Sequence, residues 1–213
     1  MNIAKATNEY IENHPGIKSS LKSGLINYSA LARKIADELG EKKESSFDAI
    51  LIACRRFVEK NKLQEPHEER IMKLVKGGKF EIRNKVSAII LDESAGIDRI
   101  LEISKKIMVK TDNFHLIQGT KTFTLVLDDD FAEELEGPLK RYIVKSRKSL
   151  VQITHKTSEK VEETTGFLSH LTSIFSENGV NIYEAMSSWT DTIFLINEKD
   201  APKIFSLLNS KGK

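Results

Sequence analysis

A single cysteine, Cys54, excludes an internal disulfide. Its place inside an apolar helical pattern suits packing better than reactivity. No apolar run approaches the roughly 18 residues that span a bilayer. No charged start leads into a short apolar core, so a cytoplasmic protein is expected, neither secreted nor inserted in a membrane. Catalytic signatures are missing too: there is no Walker loop, G-x-S-x-G elbow, H-E-x-x-H or paired C-x-x-C. The five histidines, His14, His67, His115, His155 and His170, are scattered without ligand spacing. The expectation is a protein that is not an enzyme, with no metal and no cofactor.

What is there describes an ordinary folded chain: 213 residues, 30% charged and 39% hydrophobic, with a net charge of +2. The charge is uneven. Residues 1–80 carry 15 Lys and Arg against 11 Asp and Glu, a net of +4, and the remainder carries 18 against 20, a net of −2. Basic character in the first third is a mild pointer to nucleic acid there.

The first third reads as helices. Tyr28, Leu31, Ala32, Ile35, Ala36 and Leu39 recur at one helix face, with Asn27 as N-cap and Gly40 as stop. A second helix opens with a capping-box pattern, Ser45 to Asp48, and buries Phe47, Ile50, Leu51, Cys54, Phe57 and Val58. Two further helices, around 3–11 and from Pro66 to Gly77-Gly78, flank these and complete a four-helix bundle. The pair 28–39 and 46–60, joined by the polar turn 41–44, has the layout of a helix-turn-helix whose second helix presents Arg55 and Arg56 to solvent for DNA. The run Asn27-Tyr-Ser-Ala-Leu-Ala-Arg-Lys-Ile-Ala resembles the first helix of such a unit in winged-helix regulators. A small bundle with a solvated face reads as well.

The remainder reads as a repeat. An offset of 70 aligns Gly96 with Gly166, Leu101 with Leu171, Thr122 with Thr192, Leu125 with Leu195 and Asp130 with Asp200. Each copy starts with a strand, 86–91 or 150–153, and a helix follows the matched glycine. Two strands come next, 114–118 with 122–127 and 180–186 with 192–196, and then a second helix. The order β-α-β-β-α lacks only the last strand of a ferredoxin-like unit. Residues 141–147 supply it in the first copy. The second copy has none left, and residues 79–84, placed before Val86 as 141–147 is before Leu150, are expected to fill that position. The fold class is therefore α+β, with tandem βαββαβ modules at 79–148 and 149–213 behind a helical domain at 1–78.

The second copy, from Thr165-Gly-Phe-Leu-Ser-His-Leu through Gly179-Val-Asn-Ile-Tyr to Asp191-Thr-Ile-Phe-Leu-Ile, resembles an ACT domain of the aspartokinase type. The first keeps Gly96 but has Asp112-Asn-Phe-His115 where the Gly-Val-Asn-Ile form stands. This resemblance implies a module that binds an amino acid at the loop before the first helix and at the start of the second strand. Those positions are Asp92, Glu93, Ser94, Ala95 and Gly96, and Thr164, Thr165, Gly166, Asn181, Ile182 and Tyr183. Helix N-terminal amides suit a carboxylate there.

Ile193 to Ile196 are consecutive, so both faces of that strand need cover, and homodimerisation is the favoured source. Trp189, in the hairpin of the second copy, is read as a packing or interface residue. An RNA-binding sheet is disfavoured because Phe123 and Phe194 fall short of an aromatic platform. Two functions stay open: an amino-acid-responsive regulator acting on DNA through its N-terminal domain, and a free-standing regulatory subunit docking on a biosynthetic enzyme.

Overall fold

In the computed structural model the chain is described at residues 2–41, 44–61 and 66–210, and it divides into two compact units, residues 1–67 and 68–213. The first unit contains α1 (Ile3–Asn13), α2 (Pro15–Lys22), α3 (Tyr28–Glu38) and α4 (Glu44–Asn61). Asn27 caps α3, its Oδ1 accepting from the amides of Ser29 and Ala30 at 3.0 Å. Helix α4 starts at Glu44, so Ser45 lies inside it and is not its cap. The Ser45 side chain and residues 42–43 of the expected turn lie outside the described residues. Ile11, Leu21, Ala32, Ile35, Ile50 and Cys54 close the core without exposure. Burial pushes the Cys54 thiol up to about 11, which leaves it protonated and inert.

Helix α1 ends at Asn13, and Pro15 opens α2, because the first helical position needs no N–H. One sequence expectation changes here. The fourth helix of the expected bundle, α5 (Pro66–Gly77), packs elsewhere: its Ile71, Leu74 and Val75 join the core of the second unit. The two compact units divide at 67/68, within the first turn of α5. An amphipathic face states that a helix is buried and leaves its partner open. Among the described residues of 2–61 no strand accompanies the helices.

The second unit continues through β1 (Lys79–Asp92), α6 (Ile97–Met108), β2 (Phe114–Gln118), β3 (Thr122–Asp128) and α7 (Asp129–Leu139). It ends with β4 (Ile143–Lys156), α8 (Phe167–Ser176), β5 (Ile182–Ser188), β6 (Asp191–Asn197) and α9 (Ala201–Ser210). The six strands form one antiparallel sheet in the order β2-β3-β1-β4-β6-β5.

The register explains the unit. Val86 sits opposite Leu150; on one side of this row Lys79–Arg83 pairs with Gln152–Lys156, and on the other Ala88–Leu91 pairs with Ile143–Arg147. Each long strand thus serves both modules, and residues 79–83 hold in the second module the place that Ile143–Arg147 holds in the first. The halves of each strand meet at Lys85 and Ser149, with φ of 55° and 56°. The Asp129 carboxylate bridges the modules there, accepting from Ser87 Oγ at 2.6 Å and the Ser149 amide at 3.0 Å.

Helices cover one face. Ile89, Leu91, Leu125 and Leu127 meet α6 and α7; Val151, Ile153, Phe194 and Ile196 meet α5, α8 and α9. Burying such side chains contributes about 1.5–3 kcal/mol each. On the other face Leu195 joins Val86, Ala88, Val126 and Leu150, with Tyr183 and Met186 packed against them. Large side chains of the sheet itself therefore cover part of the second face of β6. Among the described residues no helix is long and apolar enough to cross a membrane.

Candidate functional site

The two strand-to-helix loops differ in length, and the longer one borders a cavity. Val86 and Leu150 are 64 residues apart, Gly96 and Gly166 are 70 apart, so the second loop is longer by six. In the first module, Glu93–Ala95 make a single 3₁₀ turn between Asp92 and Gly96. The Asp92 carboxylate accepts from the Ser94 hydroxyl at 2.5 Å and the Ser94 amide at 2.9 Å, which hold it below the usual carboxylate range. The Glu93 amide donates to the Lys121 carbonyl at 3.0 Å. The carbonyl of buried Ala95 accepts from Arg99 Nη1 at 2.9 Å, and the same nitrogen donates to Tyr142 Oη at 2.6 Å. The Asp92 and Ser94 side chains are engaged within the loop, and Asp98 in the first turn of α6 opposes an incoming anion.

The longer second loop, residues 157–165, is likewise tied to the hairpin of its own module. The Thr157 amide donates to the Thr190 carbonyl at 3.0 Å, tying the loop to the β5–β6 hairpin. After the 3₁₀ turn Glu159–Val161, the Thr164 hydroxyl donates to the Lys160 carbonyl at 2.7 Å. Gly166 turns the chain into α8 at φ 85°, a conformation that side chains disfavour. The first turn of α8 holds no acidic residue. Among the described residues the amides of Leu168 and Ser169 meet no acceptor, and neither do those of Asp98 and Arg99 at the start of α6, as is usual for the first turn of a helix.

Beside this turn lies a cavity of about 370 Å³, lined by Val161, Glu162, Thr164, Gly166, Phe167, Leu168 and Ser169 and, from the hairpin, Ser187, Trp189 and Thr192. Trp189 holds φ at 50° in the tight turn and is 61% exposed, so its indole forms part of the wall without being buried in a core. The floor is firm. Phe167 packs on His155, ring centroids 5.5 Å apart, and His155 packs on Phe80 at 4.4 Å. His155 is fully buried, burial holds it below the ordinary histidine range, and its Nε2 lies 3.3 Å from the Val75 carbonyl of α5.

Of the residues expected from the sequence, Thr164 and Gly166 line this cavity, and Thr165 lies between them in the loop. Asn181, Ile182 and Tyr183 do not join them. Ile182 pairs with Ile196, at the end of β5 opposite Ser187 and its partner Thr192. In an antiparallel hairpin the entry into the second strand lies a strand length from the helix N-terminus, so one module does not bring both together. Tyr183 instead lies under Arg147, at 4.6 Å. Sequence reasoning missed Ser169 and Ser187 as cavity residues and read Trp189 as a packing or interface residue; the six-residue insertion was the available signal. Arg55 and Arg56 are both exposed on α4. Arg56 borders a groove of about 640 Å³ between α1 and α4, with Ala4, Ala49, Ile52, Ala53 and Phe57 among its walls. Among the described residues no group of three or more His, Cys, Asp or Glu side chains is arranged to hold a metal ion.

No protein-family model and no curated protein matches the sequence. Solved structures do match in fold. Aspartokinase alpha and beta subunits superpose with a TM-score of 0.53 at 14% identity, covering 65% of this chain and 97% of that one. The regulatory subunit of aspartate kinase from Thermus flavus gives 0.52 at 13% identity, over 66% of this chain and 100% of that one. Aspartate kinase from Clostridium acetobutylicum, an allosteric enzyme, gives 0.52 at 14% identity, over 63% of this chain. The match spans only 34% of that kinase. The antiparallel α/β unit is thus similar in fold to the regulatory, ACT-type part of aspartokinases.

Proposed function

We propose that the chain is a non-catalytic regulator that senses an amino acid in the second module and acts on a partner protein. The cavity beside α8 carries this reading. Unbonded amides at the positive end of a ten-residue helix suit a carboxylate. The Glu162 carboxylate suits an ammonium, and the Trp189 indole offers a surface for the effector's side chain. The likeness to aspartokinase regulatory subunits supports the same reading and favours an enzyme as the partner. The first unit supplies the docking surface, and two copies of the chain pair in solution, which light scattering tests.

Screening the twenty amino acids by thermal shift is the test. A ligand at 100 times its Kd stabilises by about 2.7 kcal/mol; no shift with any of them removes the reading. The adjacent exposed pair Arg55 and Arg56 favours a second reading, DNA as the target. Specific, salt-dependent binding to the DNA upstream of the gene would establish it in place of a protein partner.

A further inference from the structure

On the sheet face turned away from the helices, a second cleft of about 420 Å³ lies over β1, β4 and β6, and it shares no residue with the cavity beside α8. Gln152 and Thr154 form its floor, each only 6% exposed. Arg83 stands opposite Gln152 across β1, and Asp191 stands opposite Lys156 across β6. Three cations, Lys79, Arg83 and Lys156, and three anions, Glu81, Asp112 and Asp191, line it, so its net charge is zero. The rim is already ordered by ion pairs: Glu81 holds Lys156 at 2.7 Å and Lys79 at 3.4 Å. Arg83 turns away from Gln152 to Asp112 at 2.8 Å and Asp128 at 3.3 Å.

That turn leaves one group unsatisfied. Gln152 Nε2 donates to Thr154 Oγ1 at 3.3 Å, but among the described residues nothing donates to Gln152 Oε1. A buried carbonyl oxygen without a donor is costly, and one on a cleft wall is relieved by a molecule that brings an N–H or O–H. A rim of both signs and no net charge selects against polyanions and bare cations and suits a molecule that carries both signs itself.

We infer that this cleft is a second ligand site, for a small zwitterion of the α-amino-acid class. The ammonium of the ligand donates to Gln152 Oε1 and faces the Asp191 carboxylate, and the carboxylate of the ligand meets Lys156. Calorimetric titration of the full chain with each of the twenty amino acids tests this, in the wild type, Gln152→Met and Trp189→Ala. The Trp189→Ala protein is expected to keep a binding event that Gln152→Met weakens by about tenfold or more. Absence of binding to Trp189→Ala, or a folded Gln152→Met protein that binds as the wild type does, overturns the inference. Loss confined to Trp189→Ala would keep the cavity beside α8 and remove the cleft; loss confined to Gln152→Met would do the reverse. Asp191→Asn and Lys156→Gln, at the rim, are expected to weaken the same event and replace Gln152→Met if it fails to fold.

Discussion

Gly77 and Gly78 are adjacent, yet only the replacement of Gly78 by alanine is expected to destabilise the fold. A Cβ on Gly78 would lie 2.4 Å from His155 Nε2, 2.5 Å from its Cε1 and 2.7 Å from the Lys156 carbonyl oxygen. A backbone atom of the central strand cannot rotate away, and the His155 ring is held between Phe80 and Phe167. Overpacking of this kind costs about 1–3 kcal/mol. The loss of unfolded-state freedom returns about 0.4–1 kcal/mol. The net, about 1–2 kcal/mol, lowers the melting temperature of a unit this size by about 2–8 °C. A Cβ on Gly77 meets nothing within 4 Å, so Gly77→Ala is expected to be neutral or to stabilise by up to about 1 kcal/mol. Calorimetric unfolding of the full-length variants compares them. Equal melting of the two would refute the tight seating of the start of β1 against His155, and with it the firm floor assigned to the cavity beside α8.

Buried His155 is neutral in the fold with its pKa lowered, while in the unfolded chain it titrates normally. Its contribution is full above the unfolded histidine pKa of about 6.5 and is lost as pH falls through the lower folded value. A urea series between pH 7.5 and 5 is expected to show that loss in the wild type and less of it in His155→Phe; equal slopes would contradict the assignment. Asp129→Ala removes the acceptor of buried Ser87 and of the Ser149 amide, and a loss of about 1–3 kcal/mol is expected by chemical denaturation. Trp189 is 61% exposed, so Trp189→Ala is expected to leave stability within about 0.5 kcal/mol while weakening effector binding at the α8 cavity. A large fall in melting temperature would return Trp189 to the packing role that its sequence suggested.

Period and punctuation made most of the elements legible. The apolar spacing of Leu31, Ile35 and Ala36 and the cap at Asn27 mark α3, and both hairpins follow from alternating strands around short turns. The strand count pointed to residues 79–84, and the register sets Lys79–Arg83 beside Gln152–Lys156. The break at Lys85 and Ser149 was not legible, because neither is a glycine and both hold positive φ. Helix α5 was assigned to the wrong core because its stripe of Ile71, Leu74 and Val75 fits either. Half of the candidate site was legible: a glycine at a helix start marks itself, whereas Ser187 and Trp189 reach it only through the pairing of β5 with β6.

Under the function proposed above, the longer loop of the second module receives the effector and the shorter loop of the first module does not. Hydrogen exchange of the backbone amides, with and without the amino acid that gives the largest thermal shift, tests it most directly. Slowed exchange at residues 161–169 and 187–192, with 92–96 unchanged, is the predicted result. Protection centred on 92–96, or on neither loop, would contradict it.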